Sequence, residues 1–211
     1  MISATIQNIP LMFDVTLPPP QQKQRLFSPH SIDHGTLAML SLTEFLPADR
    51  VLDLGCGYGV VGILAAKKLG PEQVVMCDIS QEAVDCARQN AALNGVPGID
   101  IRLSDGFEQI PDKTFTLILS NPPYHADFSV PKRFIEGSFQ RLETGGRLMM
   151  VTKRLDWYKN KIISVFGGVK IHEMDGYYIF MAEKRSAPVK KPLKAPPKLS
   201  KKLRAKYNKP I

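Results

Sequence analysis

The sequence predicts a doubly wound α/β domain, and three observations lead to that prediction. Short apolar runs alternate with helix-period stretches from residue 51 onward. A glycine-rich turn follows the first of these runs. Near residue 175 two apolar segments flank Asp175-Gly176, which marks a β-hairpin.

The elements follow in chain order. Residues 1–24 are weakly patterned, contain Pro18-Pro19-Pro20, and read as an irregular arm or a short strand or two. Ile32, Leu37, Leu40, Leu42 and Phe45 suggest an amphipathic helix over 31–46, stopped by Pro47. Residues 51–54 form a first strand and 55–59 a glycine turn, and 60–69 form a helix ended by Gly70-Pro71. A second strand spans 74–77. Ser80 caps a helix over 81–93 that ends at Asn94-Gly95. Strands follow at 99–103 and 115–120, then a helix around 132–142 stopped by Gly145-Gly146. A fifth strand at 147–152 precedes a helix at 155–166, and the closing hairpin pairs 169–174 with 177–183. Seven strands result, mostly parallel and buried on both faces, with an antiparallel strand contributed by the hairpin.

A chain of 211 residues suits one domain with a full core plus extensions. No apolar run approaches the roughly 20 residues that span a bilayer, and the first ten residues lack a signal-peptide pattern. Cys56, Cys77 and Cys86 form no CxxC pair, so no metal site or disulfide framework is expected, and the expected home is a reducing cytoplasm. The net charge of +8 is unevenly placed. Residues 186–211 hold nine Lys or Arg and no acid, which leaves residues 1–185 at −1.

The stretch Asp53-Leu54-Gly55-Cys56-Gly57-Tyr58-Gly59 lies between the first strand and its helix. Ligands of such sheets bind at the carboxyl ends of the strands, where the strand order reverses. Asp78 ends the second strand, where an acid can hold ribose hydroxyls. Asp105 follows the third, where a carboxylate can accept from an adenine amino group. Asp53 can receive an ammonium, directly or through water. Many tight turns use glycine, and dinucleotide binding is the rival reading. That reading wants a third glycine where Val60 stands. S-adenosyl-L-methionine carries no phosphate and does not need it. The candidate cofactor set is Asp53, Gly55, Cys56, Gly57, Asp78, Ile79, Asp105, Gly106 and Asn121, with no metal.

Asn121-Pro122-Pro123-Tyr124 follows the fourth strand directly. Two prolines stiffen the loop and remove two N–H donors. What remains is an acceptor surface, the Asn121 side-chain oxygen and a proline carbonyl, which matches the two donors of an exocyclic amine. Tyr124 offers a ring for stacking a base. The alternative is a plain Asn-Pro turn. His125 reads as a loop residue lining the pocket. Lys153, Arg154, Trp157 and Tyr158 lie at the same sheet edge and either line an RNA path or complete a helix start. The Lys- and Pro-rich tail, 186–211, either anchors RNA through phosphates or serves as a solvated tail.

These motifs resemble those of class I methyltransferases of the small-domain type, and among them the ribosomal small-subunit RNA guanine-N2 methyltransferases. Leu26-Phe27-Ser28 and Asp33-His34-Gly35-Thr36 match segments that precede the glycine turn in that family. The resemblance covers about residues 25–184. It implies a Rossmann-like methyltransferase domain over 25–185, S-adenosyl-L-methionine as cofactor, Phe27 as a wall of the cofactor cavity, and Asn121, Pro122, Pro123 and Tyr124 as the target site. It implies ribosomal RNA as partner and guanine N2 as acceptor. Adenine N6 of RNA, a protein glutamine N5, and an inactive RNA-binding module remain alternatives.

Overall fold

The computed structural model describes residues 1–16, 31–123 and 127–186. Phe27, Tyr124, His125 and the basic tail beyond Ser186 lie outside the described residues. The main sheet is built from β3 (Val51–Leu54), β4 (Val74–Asp78), β5 (Asp100–Leu103), β6 (Phe115–Ser120), β7 (Leu142–Thr152), β8 (Lys170–Met174) and β9 (Tyr177–Glu183). Its order is β5-β4-β3-β6-β7-β9-β8. Every pair from β5 to β7 is parallel, whereas β9 runs antiparallel to both β7 and β8. The hairpin therefore folds its second strand inward and leaves β8 at the edge. Its turn is the expected Asp175-Gly176, both residues with positive φ (51° and 75°).

Strand alternation divides the core into two layers. Val51, Met76, Leu117, Leu119, Met149 and Val151 face one cluster, and Leu52, Leu54, Ile118, Leu148 and Met150 face the other. The first layer packs under α1 (His34–Leu42), α2 (Val60–Leu69) and α3 (Gln81–Leu93), the second under α4 (Ser129–Arg141) and α5 (Asp156–Phe166). Phe115 joins Ile118 in the second layer because the ladder shifts between Phe115 and Leu117.

Two helix starts differ from expectation for local reasons, and the N-terminal arm takes the form of two short strands. α1 begins at His34 because the Asp33 side chain accepts from Thr36 N, and it ends at Thr43, whose backbone is extended. α4 starts at Ser129, ahead of Pro131, because a proline in the first turn forfeits no intrahelical bond. Residues 2–13 form a hairpin, β1 (Ile2–Ile6) with β2 (Ile9–Phe13), turned by Gln7 and Asn8 at positive φ. Leu11 and Phe13 are buried, and two asparagines one turn apart, Asn90 on α3 and Asn94 at its C-cap, hold β2. Asn94 bonds Met12 N and O (3.0 and 2.7 Å), and Asn90 bonds Asp14 N and O (2.7 and 3.1 Å). Among the described residues no helix is long and apolar enough to cross a membrane.

Candidate active site

The chain leaves β3 toward β4 on one side, while β6 pairs with β3 on the other. A crevice opens at the carboxyl ends of these strands, as this topology requires. It is a cavity of about 340 Å³, within the range of small-molecule sites. Asp53, Gly55, Cys56 and Gly57 line it from the first strand and its turn, Asp78 and Ile79 from β4, Asp105 and Gly106 from the loop after β5, and Asn121, Pro122 and Pro123 from the end of β6.

The turn is held from below. Gly55 N and Cys56 N both donate to Cys77 O at 2.9 Å, and Gly57 N donates to Asp78 Oδ2 at 2.9 Å. Gly59 caps α2 in a left-handed conformation (φ 100°) and has no side chain to satisfy the helix start. Asp53 takes that role: its Oδ2 accepts from Gly62 N at 2.9 Å. The carboxyl is 2% exposed. Burial pushes its pKa up to about 7; the Gly62 bond pulls it down and the Asp78 charge adds to the rise. Burial likewise raises the Cys56 thiol well above its ordinary value, which leaves it an apolar wall rather than a nucleophile. A buried carboxyl without a cation favours either a proton or an incoming ammonium.

At the rim, Asp78 Oδ1 also accepts from Ser80 N (3.0 Å). Ile79 beside it is 68% exposed, an apolar surface offered to a planar ligand. Asp105 meets a partner that the sequence reading did not single out. Arg133 of α4 holds it bidentately, at 3.0 and 3.1 Å. Phe134, next in the chain, closes over the glycines; its ring lies 3.3 Å from where a Gly106 Cβ would stand. Nothing in the local pattern of 132–142 distinguishes Arg133 from an ordinary exposed helix residue.

Asn121 is the most constrained of the predicted residues. Its Nδ2 donates to Asp33 Oδ1 (2.8 Å) and Thr36 Oγ1 (2.9 Å). A carboxylate only accepts, so this pairing fixes which end of the amide is nitrogen and leaves Oδ1 on the opposite side of the group. Asp33 Oδ1 also accepts from Thr36 N at 3.0 Å, so one oxygen both caps α1 and orients Asn121. Gly35 between them must be glycine, because a Cβ there would stand 2.6 Å from the Tyr177 ring. The Asp-x-Gly-Thr segment thus acts through Asn121, a contact spanning 88 residues. Pro122 is buried and Pro123 exposed.

Of the four residues after β7, Lys153 and Arg154 are exposed, Trp157 is half-buried, and Tyr158 is 2% exposed and belongs to the core. Among the described residues no group of three or more His, Cys, Asp or Glu is placed to hold a metal ion.

A family model described as the methyltransferase small domain matches residues 21–181. The ribosomal RNA small subunit methyltransferase C of Pseudomonas putida (strain GB-1) is 32% identical over 162 residues, covering 74% of this chain and 48% of that protein. The uncharacterized protein YbxB of Bacillus subtilis (strain 168) is 31% identical over 165 residues, covering 75% of this chain and 82% of that protein. Among solved structures, the Thermus thermophilus 16S rRNA N2 G1207 methyltransferase RsmC, in complex with AdoMet and guanosine, superposes with a TM-score of 0.76. It is 26% identical and covers 87% of this chain and 50% of that chain. The chain therefore spans about half the length of the ribosomal RNA methyltransferases it matches.

Proposed function

The chain belongs to the methyltransferase small domain family, and from that premise we propose that it binds S-adenosyl-L-methionine and methylates an exocyclic amine, guanine N2 of ribosomal RNA. The cavity fits the cofactor in its chemistry. A buried carboxyl at Asp53 suits the methionine ammonium, Asp78 at the rim suits ribose hydroxyls, and Ile79 and Asp105 suit the face and the amino group of adenine. Phe27 lies outside the described residues and is assigned to the cavity wall by resemblance alone.

When bound, the cofactor supplies an electrophilic methyl group on a sulfonium. The chain's own residues present the nucleophile. Asn121 Oδ1 and the Pro122 carbonyl accept the two N–H bonds of the amine, so the nitrogen lone pair points out of the base plane. That would aim the amine nitrogen at the methyl group, while Asn121 Oδ1 and the Pro122 carbonyl would hold its two N–H bonds until one proton is released. Orientation of this kind removes about 7–11 kcal/mol of barrier at best, and Tyr124 would stack the base. A base within a helix must first be flipped out or presented in an open strand.

The observation that carries the reading is the locked Asn121 amide in the cavity of the glycine turn. The guanine and ribosomal assignments rest on what the relatives are named for, and the nine-cation tail suits an RNA partner. Nucleoside mass spectrometry of ribosomal RNA from a deletion strain tests them. Loss of N2-methylguanosine is expected. Unchanged methylguanosine with loss of N6-methyladenosine, or of a protein methylglutamine, would replace the assignment.

A further inference from the structure

We propose that Lys153 and Arg154 hold the RNA phosphates that flank the target nucleotide, an inference that rests on the RNA reading above. β6 and β7 are neighbours, with Ser120 opposite Met150. The Asn121 loop and the loop after Thr152 therefore leave the sheet at the same edge. The two cations are seated on rings there. The Arg154 guanidinium lies 4.9 Å from the centre of Phe128, and that ring stacks on Trp157 at 4.6 Å and 25°. Phe128 ends the loop that Asn121 begins, and it is 37% exposed. The Lys153 ammonium lies 4.8 Å over Tyr177, the ring packed against Gly35 beside the Asp33 that orients Asn121. One cation thus sits toward each end of the Asn-Pro-Pro loop.

Neither cation is neutralised by a carboxylate, in contrast to five arginines elsewhere among the described residues. Arg50, Arg88, Arg102, Arg133 and Arg147 each pair with a carboxylate, and Arg141 bonds backbone carbonyls. Among the described residues Lys153 and Arg154 form no ion pair, although both are exposed. A cation resting on a ring keeps its charge for solvent and loses side-chain freedom in advance, so an arriving anion meets a prepared site. The cavity behind carries Asp33, Asp53, Asp78 and Asp105 against one cation, Arg133, which pairs with Asp105. That wall repels a phosphate backbone, and the two ring-seated cations offset it where a nucleotide must enter. Repeated phosphates along one strand match two cations flanking one loop better than a single acidic side chain does.

The test is binding of a fluorescein-labelled single-stranded RNA to the full chain across a salt series. Wild type is compared with the double variant Lys153→Gln/Arg154→Gln. Each phosphate contact on a single strand contributes about 0.7 to the slope of log K against log salt, so the double variant should lose about 1.4, or about 25-fold in affinity at 0.1 M salt. Labelled S-adenosyl-L-methionine should bind both proteins equally, which controls for folding. If the double variant does not fold, each single variant should lose about 0.7 of slope. A variant slope equal to wild type overturns this proposal and leaves the methylation reading standing. A wild type that binds the cofactor but no RNA, and instead methylates a protein glutamine, overturns both.

Discussion

Replacing Asp33 by alanine removes one oxygen that serves two donors, Thr36 N at 3.0 Å and Asn121 Nδ2 at 2.8 Å. The first loss is an N-cap, costing about 1 kcal/mol of stability, or about 2–4 °C in Tm for a chain of this size. The second loss acts on function. A hydrogen bond to a charged acceptor is worth about 1.5–3 kcal/mol, and the Asn121 amide would lose its carboxylate partner while keeping Thr36 Oγ1. The amide then turns over or wanders for part of the time, and kcat should fall about 10- to 150-fold. Cofactor affinity should change less than kcat. Asp33→Asn separates the two effects, because an amide oxygen at the same place still accepts from both donors; it should recover most of both losses. Single-turnover methyl transfer, calorimetric cofactor binding and thermal melting read the three quantities. An Asp33→Ala enzyme that melts lower yet keeps kcat within about twofold of wild type would show that Asp33 only caps a helix. An Asp33→Asn enzyme as damaged as Asp33→Ala would show that hydrogen bonding is not the basis.

Other outcomes follow from the same geometry. Asp53 has a folded pKa of about 7 against an ordinary 3.8, raised by burial, with Asp78, Cys56 and Cys77 nearby. The folded chain therefore binds a proton that the unfolded chain has released. Stability from this group is fully present below about pH 4 and is lost as pH rises to about 7, on the order of 4 kcal/mol in all. Denaturation of wild type and Asp53→Asn across that range should show wild type losing ground as pH rises, and a constant difference would contradict it. Bound cofactor should lower the Asp53 pKa, so affinity should rise with pH up to about 7 and then level off, as calorimetry would show. Gly35→Ala should cost about 1–3 kcal/mol by overpacking against Tyr177 and should lower kcat as well, read by melting and turnover. Arg133→Ala breaks a half-exposed ion pair and should change stability by less than about 1 kcal/mol, whereas Asp105→Asn should weaken cofactor binding in an equilibrium titration.

The main sheet was legible because its central strands β3, β4 and β6 are short runs buried on both faces, so apolar residues and turn glycines outline them. The N-terminal hairpin was legible only as an arm or a short strand or two, because its Gln7-Asn8 turn lacks glycine and its docking rests on Asn90 and Asn94, more than seventy residues away. The site divides in the same way. Asp53, Asp78, Asp105 and Asn121 each stand at the end of a strand, and strand ends can be read from sequence. The bond from Asp33 to Asn121 and the Arg133 clamp on Asp105 join elements that only the folded topology brings together.

The decisive measurement incubates the purified chain with methyl-labelled S-adenosyl-L-methionine and ribosomal RNA and digests the RNA to nucleosides. Label should appear in N2-methylguanosine with wild type and about 100-fold less with Asn121→Ala, which should still bind cofactor. Equal labelling by Asn121→Ala, or label found only in methyladenosine or methylglutamine, would contradict the assignment.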